Sequence, residues 1–267
     1  MTCATDSDPR EDFEDDGWDS DAVLIDGRWV DRTPKRLERV PMMRCETRLM
    51  PWLSPQLPLA VSVPWVIAKD PFKVRHELIP GSPCPGIDPR HGEAIGPFLS
   101  ALHRVDPVGA VALGVPDAQT IHDEQQTTHD RFRLEVISRL PSDAWAAAQA
   151  LLERASLPPT RTCLTHSDLG PDHIRVIGHT VTGVIDWADA CINDPAIDLA
   201  WVLNGTSAGF AHSVVKAYGV DEELARRAHN LYQIGPWHEV IYGLDAHQPE
   251  VVDTGIAGVL RRLRGGA

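Results

Sequence analysis

Three polar residues near the middle of the chain have the types and spacing needed for chemistry on phosphates. Asp168 precedes one short apolar run, Asp186 follows the next, and His173 lies between the two acids. The two runs, Ile174–Ile177 and residues 181–185, are separated by the turn sequence Gly-His-Thr and predict a β-hairpin. Because the ends of a hairpin lie close together, we expect the three side chains to converge on one patch.

Such a patch suits a divalent cation. Clustered carboxylates need a compensating positive charge, and oxygen ligands that leave coordination positions open suit Mg²⁺ bound together with nucleotide phosphates. One acid on the metal and a second acid free to accept a proton is what phosphoryl transfer requires. The pattern therefore indicates a site for phosphoryl transfer centred on Asp168 and Asp186.

The elements upstream of this site are predicted to be mostly β. Residues 22–25, the turn Asp26-Gly27 and residues 28–30 form a β-hairpin signal. A helix is predicted from Pro41 to Pro51, because apolar residues recur there at helical spacing. Residues 57–68 are interpreted as a strand pair interrupted by prolines, and residues 76–79 as a short strand.

The composition changes after residue 81. Residues 82–92 are rich in Pro and Gly and suit a linker. Helices are predicted over 94–103 and 142–154, and from residue 199 onward the chain is mainly helical. We therefore expect an α+β fold with a small β-rich N-terminal lobe and a larger, mainly helical C-terminal lobe. The lobes span 17–81 and 82–267, after an acidic arm, residues 1–16, that we expect to be disordered.

Composition narrows the class of protein. The formal net charge is -13, and ten of the acidic residues lie within residues 1–26, which hold one basic residue, Arg10. An acidic chain argues against nucleic acid as a partner, because phosphate backbones need a basic footprint. Five scattered cysteines fit reduced thiols in a cytoplasmic protein, and we see neither a secretory signal nor an apolar run long enough to span a membrane.

The sequence resembles a known family at the same residues. H-x-D-x-x-x-x-[NH], then I-D-W, then D-P-x-x-D-L is the signature of the aminoglycoside/macrolide phosphotransferase family, small-molecule kinases whose fold is like that of protein kinases. The resemblance implies that Asp168 is the catalytic base and that His173 and Asp186 hold Mg²⁺. It also implies that three further residues support the catalytic loop structurally: His166, Asp194 and Asp198.

The resemblance extends upstream to the nucleotide-binding elements. Arg32 falls where the family has the basic residue that grips the phosphates of ATP or GTP, and Glu46 falls where a helix glutamate pairs with it. Lys35 is the alternative phosphate ligand. The stretch Glu77, Leu78 and Ile79 resembles the hinge whose backbone holds the nucleotide base.

The resemblance also implies an acceptor. This would be a small hydroxylated molecule of antibiotic type, an aminoglycoside or a macrolide, bound by a monomeric enzyme. The acceptor pocket of this family lies in the C-terminal helical region, which here contains Glu239 and Tyr242.

The sequence departs from the family pattern and leaves alternatives. No glycine loop is recognisable before residue 22, the family's H-G-D is H-S-D, and Asp31 and Thr33 replace large apolar residues. These departures keep open a degenerate kinase-like binding protein without efficient phosphotransfer. A metal-dependent phosphohydrolase is a further alternative, since His122-Asp123 and His129-Asp130 form two HD pairs.

Overall fold

The structure is a computed structural model that describes residues 10–15 and 20–265. In chain order the strands are β1 (Arg10–Asp15), β2 (Ser20–Ile25), β3 (Trp29–Pro34), β4 (Trp65–Lys69), β5 (Phe72–Glu77), β6 (Ser82–Pro83), β7 (Cys163–Thr165), β8 (Ile174–Ile177), β9 (Thr180–Val184) and β10 (Cys191–Asn193). The α-helices are α1 (Val40–Leu53), α2 (Pro89–Leu102), α3 (Pro107–Ala112), α4 (Ala118–Arg131), α5 (Trp145–Ala155), α6 (Ala196–Asn204), α7 (Ala208–Tyr218), α8 (Glu222–Asp245) and α9 (Pro249–Gly265). A π-helical segment, Phe132–Val136, continues α4.

The N-terminal lobe is a five-stranded antiparallel sheet in the order β1-β2-β3-β5-β4. The predicted hairpin of β2 and β3 is confirmed, and its turn places Asp26 and Gly27 at φ 52° and 61°. Positive φ at both turn positions matches the right-handed twist of the strands and favours the Asp-Gly sequence. Strand β3 then pairs with β5, opposing Val30 to His76 and Arg32 to Val74.

Helix α1 covers the inner face of this sheet. Met43 is buried against Phe72 and Val74 of β5, and the same helix carries the buried Glu46. The helix does not end at Pro51 as expected but runs through it to Leu53. Packing of α1 on the sheet thus places the Glu46 carboxylate next to strand β3.

Two local expectations for this lobe are wrong in detail. Residues 57–68 do not form a strand pair: strand β4 begins only at Trp65, and residues 57–64 run toward β9, where Val61 bridges Val184. The partner of β4 is β5, which begins at Phe72 rather than at His76. Residues 10–15, which the sequence assigned to a disordered arm, form strand β1, while residues 1–9 and 16 lie outside the described residues.

The C-terminal lobe is mainly helical, and its two small sheets hold the polar motifs. Strands β8 and β9 form the predicted hairpin, joined by β6, and β7 pairs with β10. The larger core of the lobe contains Trp187, which packs against Phe98 of α2 and against His166. A second core joins α5, α8 and α9 around Phe132 and Trp237. The two-lobed α+β class expected from the sequence is confirmed.

Two further sequence expectations concern cysteines and membranes. Four cysteines are buried free thiols: Cys45, Cys84, Cys163 and Cys191. Across the described residues, none of the helices combines the length and the apolar character that a membrane crossing requires.

Candidate active site

Arg32 is the charged centre of the cleft between the lobes. Its Nη1 donates to both carboxylate oxygens of Glu46 at 3.1 Å, and its Nη2 donates to Asp186 Oδ1 at 2.9 Å. Its Nε reaches Ser20 Oγ at 3.4 Å. The side chain is 7% exposed, and Glu46 is 1% exposed. The ion pair expected between Arg32 and Glu46 is therefore present, and it extends to Asp186.

The charges of this cluster stabilise one another. Burial by itself lowers the pKa of the Arg32 guanidinium, but the Glu46 and Asp186 carboxylates raise it by more. The pKa of Arg32 therefore lies above its ordinary value. Burial raises the pKa of the Asp186 carboxyl, but Arg32, and after it His173, lower it more, so the pKa lies below its ordinary value. Asp186 is therefore an anion at neutral pH.

Alternation along β3 explains why Arg32 rather than Lys35 faces the cleft. Successive side chains of a strand point to opposite faces. Asp31 accordingly points to the outer face, where it binds Arg75 through contacts of 2.5 and 2.9 Å. Lys35 lies beyond the strand, and its Nζ is 3.6 Å from Asp21 Oδ1 at the surface.

The loop after β7, residues 166–173, is the predicted catalytic loop, and Asp198 holds its first residues in place. The two Asp198 oxygens accept from the backbone N–H groups of His166 and Ser167 at 2.9 and 2.8 Å. His103 Nε2 donates to the same carboxylate at 3.0 Å. His166 donates from Nε2 to the carbonyl of Ile185 at 3.0 Å, which joins this loop to the end of β9. These contacts agree with the structural roles expected of His166 and Asp198.

Asp194 ties the following helices together. It accepts from Ala196 N at 3.0 Å and so caps the start of α6, and Arg227 of α8 binds its Oδ2 at 2.8 and 2.5 Å. Both side chains are largely buried. The carboxylate thus braces the base of the lobe rather than facing the cleft.

Ser167 stands in a left-handed backbone conformation, with φ of 69°. Glycine adopts this conformation without steric cost, which gives a physical reason for the H-G-D of the family pattern. Here the serine hydroxyl lies 2.7 Å from Thr165 Oγ1 and 3.0 Å from Cys191 Sγ. These contacts hold a strained residue directly before Asp168.

Asp168, His173 and Asp186 converge as the hairpin predicted. His173 donates from Nδ1 to the Asp168 carbonyl at 2.6 Å, and its Nε2 lies 3.9 Å from Asp186 Oδ2. The Asp168 side chain is 61% exposed and so is open to an incoming molecule. Asp186 itself has φ of 62°, a left-handed value that turns its carboxylate toward His173 and Arg32.

These ligands suit a metal shared with a nucleotide. A histidine that donates Nδ1–H to a carbonyl presents an Nε2 lone pair, which is the usual orientation of a metal-binding histidine. His173 Nε2 and Asp186 could supply two ligands, and the described residues contain no cluster of three or more that could hold a metal. Mg²⁺ in nucleotide sites is commonly held by one or two protein ligands plus phosphates and water, so the residues fit it.

Arg32 lines a cleft with a cavity volume of about 120 Å³ that opens to solvent. Leu24 and Val30 line it from the N-terminal sheet, and Leu78 and Ile79 line it from the hinge. Two of the groups in the predicted hinge, the Glu77 side chain and the Leu78 N–H, do not face the cleft. Glu77 extends its side chain to Arg28 at the surface, and the Leu78 N–H donates to the Arg28 carbonyl at 2.8 Å.

Two residues that line this cleft are not among those predicted from the sequence. His76 is buried on the inner face of β5, directly before the hinge. Arg175 lies on β8 beneath the cleft, where its guanidinium binds the carbonyl of Gly81. A signal for each existed, since His76 alternates with the apolar Phe72 and Val74, and Arg175 comes two residues after His173.

The acceptor residues named from the sequence both lie on α8. Glu239 is half-buried and lies near Arg262 of α9. Burial lowers the pKa of the Arg262 guanidinium, and the Glu239 carboxylate offsets part of this effect. The preceding residue, His238, packs edge-on against Phe132 with 4.9 Å between the ring centroids. The role of Glu239 and Tyr242 in an acceptor pocket stays a prediction.

The HD pairs do not form a metal centre among the described residues. His129 is buried and bonds Ser156 Oγ at 2.9 Å through Nδ1. Asp130 instead pairs with Arg133 at 2.6 Å. The phosphohydrolase alternative has no support from this arrangement.

Comparison with known proteins agrees with the geometry. The family model described as the phosphotransferase enzyme family matches residues 14–230. A curated relative, the uncharacterized protein YcbJ of Bacillus subtilis (strain 168), is 24% identical over 187 residues, which is 64% of this chain. The chain spans about 60% of the length of that relative.

Solved structures of similar fold include antibiotic phosphotransferases. The GDP and kanamycin complex of APH(2")-IIia has a TM-score of 0.84 at 20% identity, covering 94% of this chain and 92% of that chain. Macrolide 2'-phosphotransferase MphH from Brachybacterium faecium has a TM-score of 0.74 at 23% identity, covering 94% and 90%. The streptomycin-ATP-APH(2")-IIa ternary complex has a TM-score of 0.67 at 21% identity, covering 92% and 88%. At such identities the likeness establishes the fold.

Proposed function

Because this chain belongs to the phosphotransferase enzyme family, we propose that it transfers the γ-phosphate of ATP or GTP to a hydroxyl of a small molecule, with Mg²⁺ as cofactor. The observation that carries the proposal is the convergence of Asp168, His173 and Asp186 beside Arg32. Phosphoryl transfer depends on positioning and charge stabilisation more than on covalent chemistry by the protein. This cluster supplies both.

Arg32 and the hinge would form the nucleotide-binding half of the site. Arg32 offers a guanidinium that can bind two phosphate oxygens at once, and Glu46 holds it in place. In the hinge of Glu77, Leu78 and Ile79, the last two residues border the same cleft, and the hinge backbone would receive the base. Mg²⁺ bound with the phosphates would neutralise their charge, with His173 and Asp186 as its protein ligands.

Asp168 is the proposed catalytic base. Its carboxylate is exposed at the cleft, and its backbone N–H donates to His166 Nδ1 at 3.3 Å. An acceptor hydroxyl within hydrogen-bond reach would be oriented by this carboxylate and would give up its proton to it. The bonds from His166 and Ser167 to Asp198 keep the loop from shifting during the reaction.

The acceptor is proposed to be an antibiotic of aminoglycoside or macrolide type. The similar solved structures include complexes with kanamycin and streptomycin as well as macrolide phosphotransferases. Glu239 and Tyr242 are proposed to contribute to this pocket from α8. A cytoplasmic location, a monomeric state and the absence of nucleic-acid or membrane partners remain predictions from the sequence.

A panel of acceptors tests the proposal. The purified chain is incubated with Mg²⁺ and ATP or GTP labelled at the γ-phosphate, together with aminoglycosides, macrolides and hydroxylated metabolites. We expect label to appear on at least one acceptor and to be lost in Asp168→Asn. If nucleotide binds but no acceptor is labelled by either nucleotide, the degenerate kinase-like binding protein becomes the better interpretation.

A further inference from the structure

His76 occupies a position from which it can contact the nucleotide base. It lies on β5 opposite Val30, is 5% exposed, and lines the cleft together with Leu78 and Ile79 of the hinge. The inference below rests on the proposed function, because it takes the base to lie against the hinge. Under that premise, the imidazole borders the edge of the purine that faces the end of β5.

The hydrogen bond of His76 fixes its tautomer. Its Nδ1 lies 2.9 Å from the carbonyl oxygen of Glu77. A carbonyl oxygen can only accept, so Nδ1 carries the proton, and a neutral imidazole then has a lone pair on Nε2. Burial lowers the pKa of His76, although the bond to Glu77 raises it, and this net direction favours the neutral ring.

The end of β5 therefore offers hydrogen-bond acceptors. Nε2 of His76 has its lone pair, and the Glu77 carbonyl keeps a second lone pair beyond the one that the imidazole uses. Adenine presents an amino group at its 6-position, whereas guanine presents a carbonyl oxygen there. Two acceptors facing each other repel, and a buried acceptor left without a donor is unfavourable.

We propose that His76 makes this enzyme select adenine over guanine nucleotides, its Nε2 accepting a hydrogen bond from the 6-amino group of adenine. Guanine would place its O6 against the same lone pair. The selection requires only this one ring and the hinge carbonyl that orients it. Neither group belongs to the phosphate clamp or to the catalytic loop.

Calorimetric binding of three nucleotides to the full chain tests the inference. ATP, GTP and inosine triphosphate are each titrated with Mg²⁺ and without acceptor. Inosine carries O6 but lacks the 2-amino group of guanine, so it separates the two positions of the base. We expect ATP to bind about tenfold tighter than both others, as one lost hydrogen bond in a buried site implies.

Two variants and one control complete the test. His76→Gln can turn its amide to donate to O6, and His76→Leu removes the lone pair, so both should bring the ATP and GTP affinities to within about threefold. The ratio of the ATP and GTP affinities is compared within each variant, because a loss of folded protein changes both affinities equally. Lys73→Gln, on the outer face of the same strand, should keep the wild-type ratio.

Three results would overturn the inference. These are equal affinities in the wild type, an unchanged ratio in His76→Gln, and inosine triphosphate binding as tightly as ATP. If none of the three nucleotides binds, the proposed function itself fails. That outcome is distinct from nucleotides that bind without preference, which would remove only the role of His76.

Discussion

The Nη2 atom of Arg32 donates to Asp186 Oδ1 across 2.9 Å, joining the N-terminal sheet to the loop that follows β9. The two residues are separated by 154 positions in the chain. The same guanidinium is held by Glu46, so one cation links strand β3, helix α1 and the proposed metal ligand. In the proposed function, a nucleotide and its metal would bind to Arg32 and Asp186. Substitutions in this cluster should therefore change nucleotide binding.

Arg32→Ala should raise the KM for nucleotide far more than Lys35→Ala. Arg32 faces the cleft, whereas Lys35 pairs with Asp21 at the surface. The Arg32 change should also destabilise the fold by about 3–5 kcal/mol, because it leaves Glu46 as an unpaired buried charge. Steady-state kinetics and urea unfolding measure the two effects.

The charge-matched variant Arg32→Lys serves as the control for stability. It should restore folding in part but not the bidentate contact with phosphate oxygens. Small and equal KM effects for Arg32→Ala and Lys35→Ala would mean that Arg32 is not the phosphate ligand.

Asp168→Asn should keep the fold and nucleotide binding while lowering kcat by about 10²–10⁴-fold, the usual loss when a general base is removed. The exposed side chain makes little contribution to packing, so thermal unfolding should be unchanged. Asp172→Asn, four residues later in the same loop and also exposed, is the matched control and should keep its activity. Near wild-type kcat in Asp168→Asn would exclude it as the base.

Asp186→Ala should abolish the Mg²⁺-dependent part of nucleotide binding. A methyl group cannot hold the metal that bridges the phosphates, and His173 alone leaves a single protein ligand. Calorimetry with MgATP and MgGTP, each repeated in EDTA, measures this part directly. Asp189→Ala, at a carboxylate that faces Arg39, should retain the metal dependence. Equal metal dependence in wild type and Asp186→Ala would contradict the assignment.

Ser167→Gly should be more stable than Ser167→Ala by about 1 kcal/mol, because only glycine adopts the left-handed conformation at φ 69° without cost. Both changes remove the hydroxyl, so their difference isolates the backbone strain. The same pair of substitutions at Ser213, within helix α7, should give the opposite order, since glycine disfavours helix. Urea unfolding of the four variants measures their free energies of unfolding. The same order of glycine and alanine at both positions would contradict backbone strain at Ser167.

His129 should make the protein less stable as the pH falls. The side chain is buried, and burial, with a smaller effect of Arg133, lowers its pKa below the ordinary 6.5 in the folded state. Between the folded and the unfolded pKa the unfolded chain binds more protons than the folded chain, so the stabilisation present above pH 6.5 is lost as the pH falls through the folded pKa. His129→Gln should therefore lose less stability than wild type between pH 7.5 and 5. An NMR titration that places the His129 pKa at or above 6.5 would remove the basis of this expectation.

Local pattern was sufficient to predict much of the site. The β8–β9 hairpin could be predicted because two short apolar runs flank a turn, and such a hairpin necessarily brings its ends together. Its sequence therefore placed Asp168, His173 and Asp186 on one patch. Strand alternation likewise indicated that Arg32, and not Asp31, faces the cleft.

Long-range contacts determine which distant groups complete the site. The hydrogen bonds that the backbone of His166 and Ser167 donates to Asp198 span more than thirty residues of sequence, and His76 reaches the cleft because β5 pairs with β3. Residues 57–64 looked like strand from their apolar content but pack along β9 instead, a choice made by long-range contacts that periodicity does not encode. Short-range patterns in the sequence therefore predict the local chemistry of the site, whereas packing between the lobes determines which groups surround it.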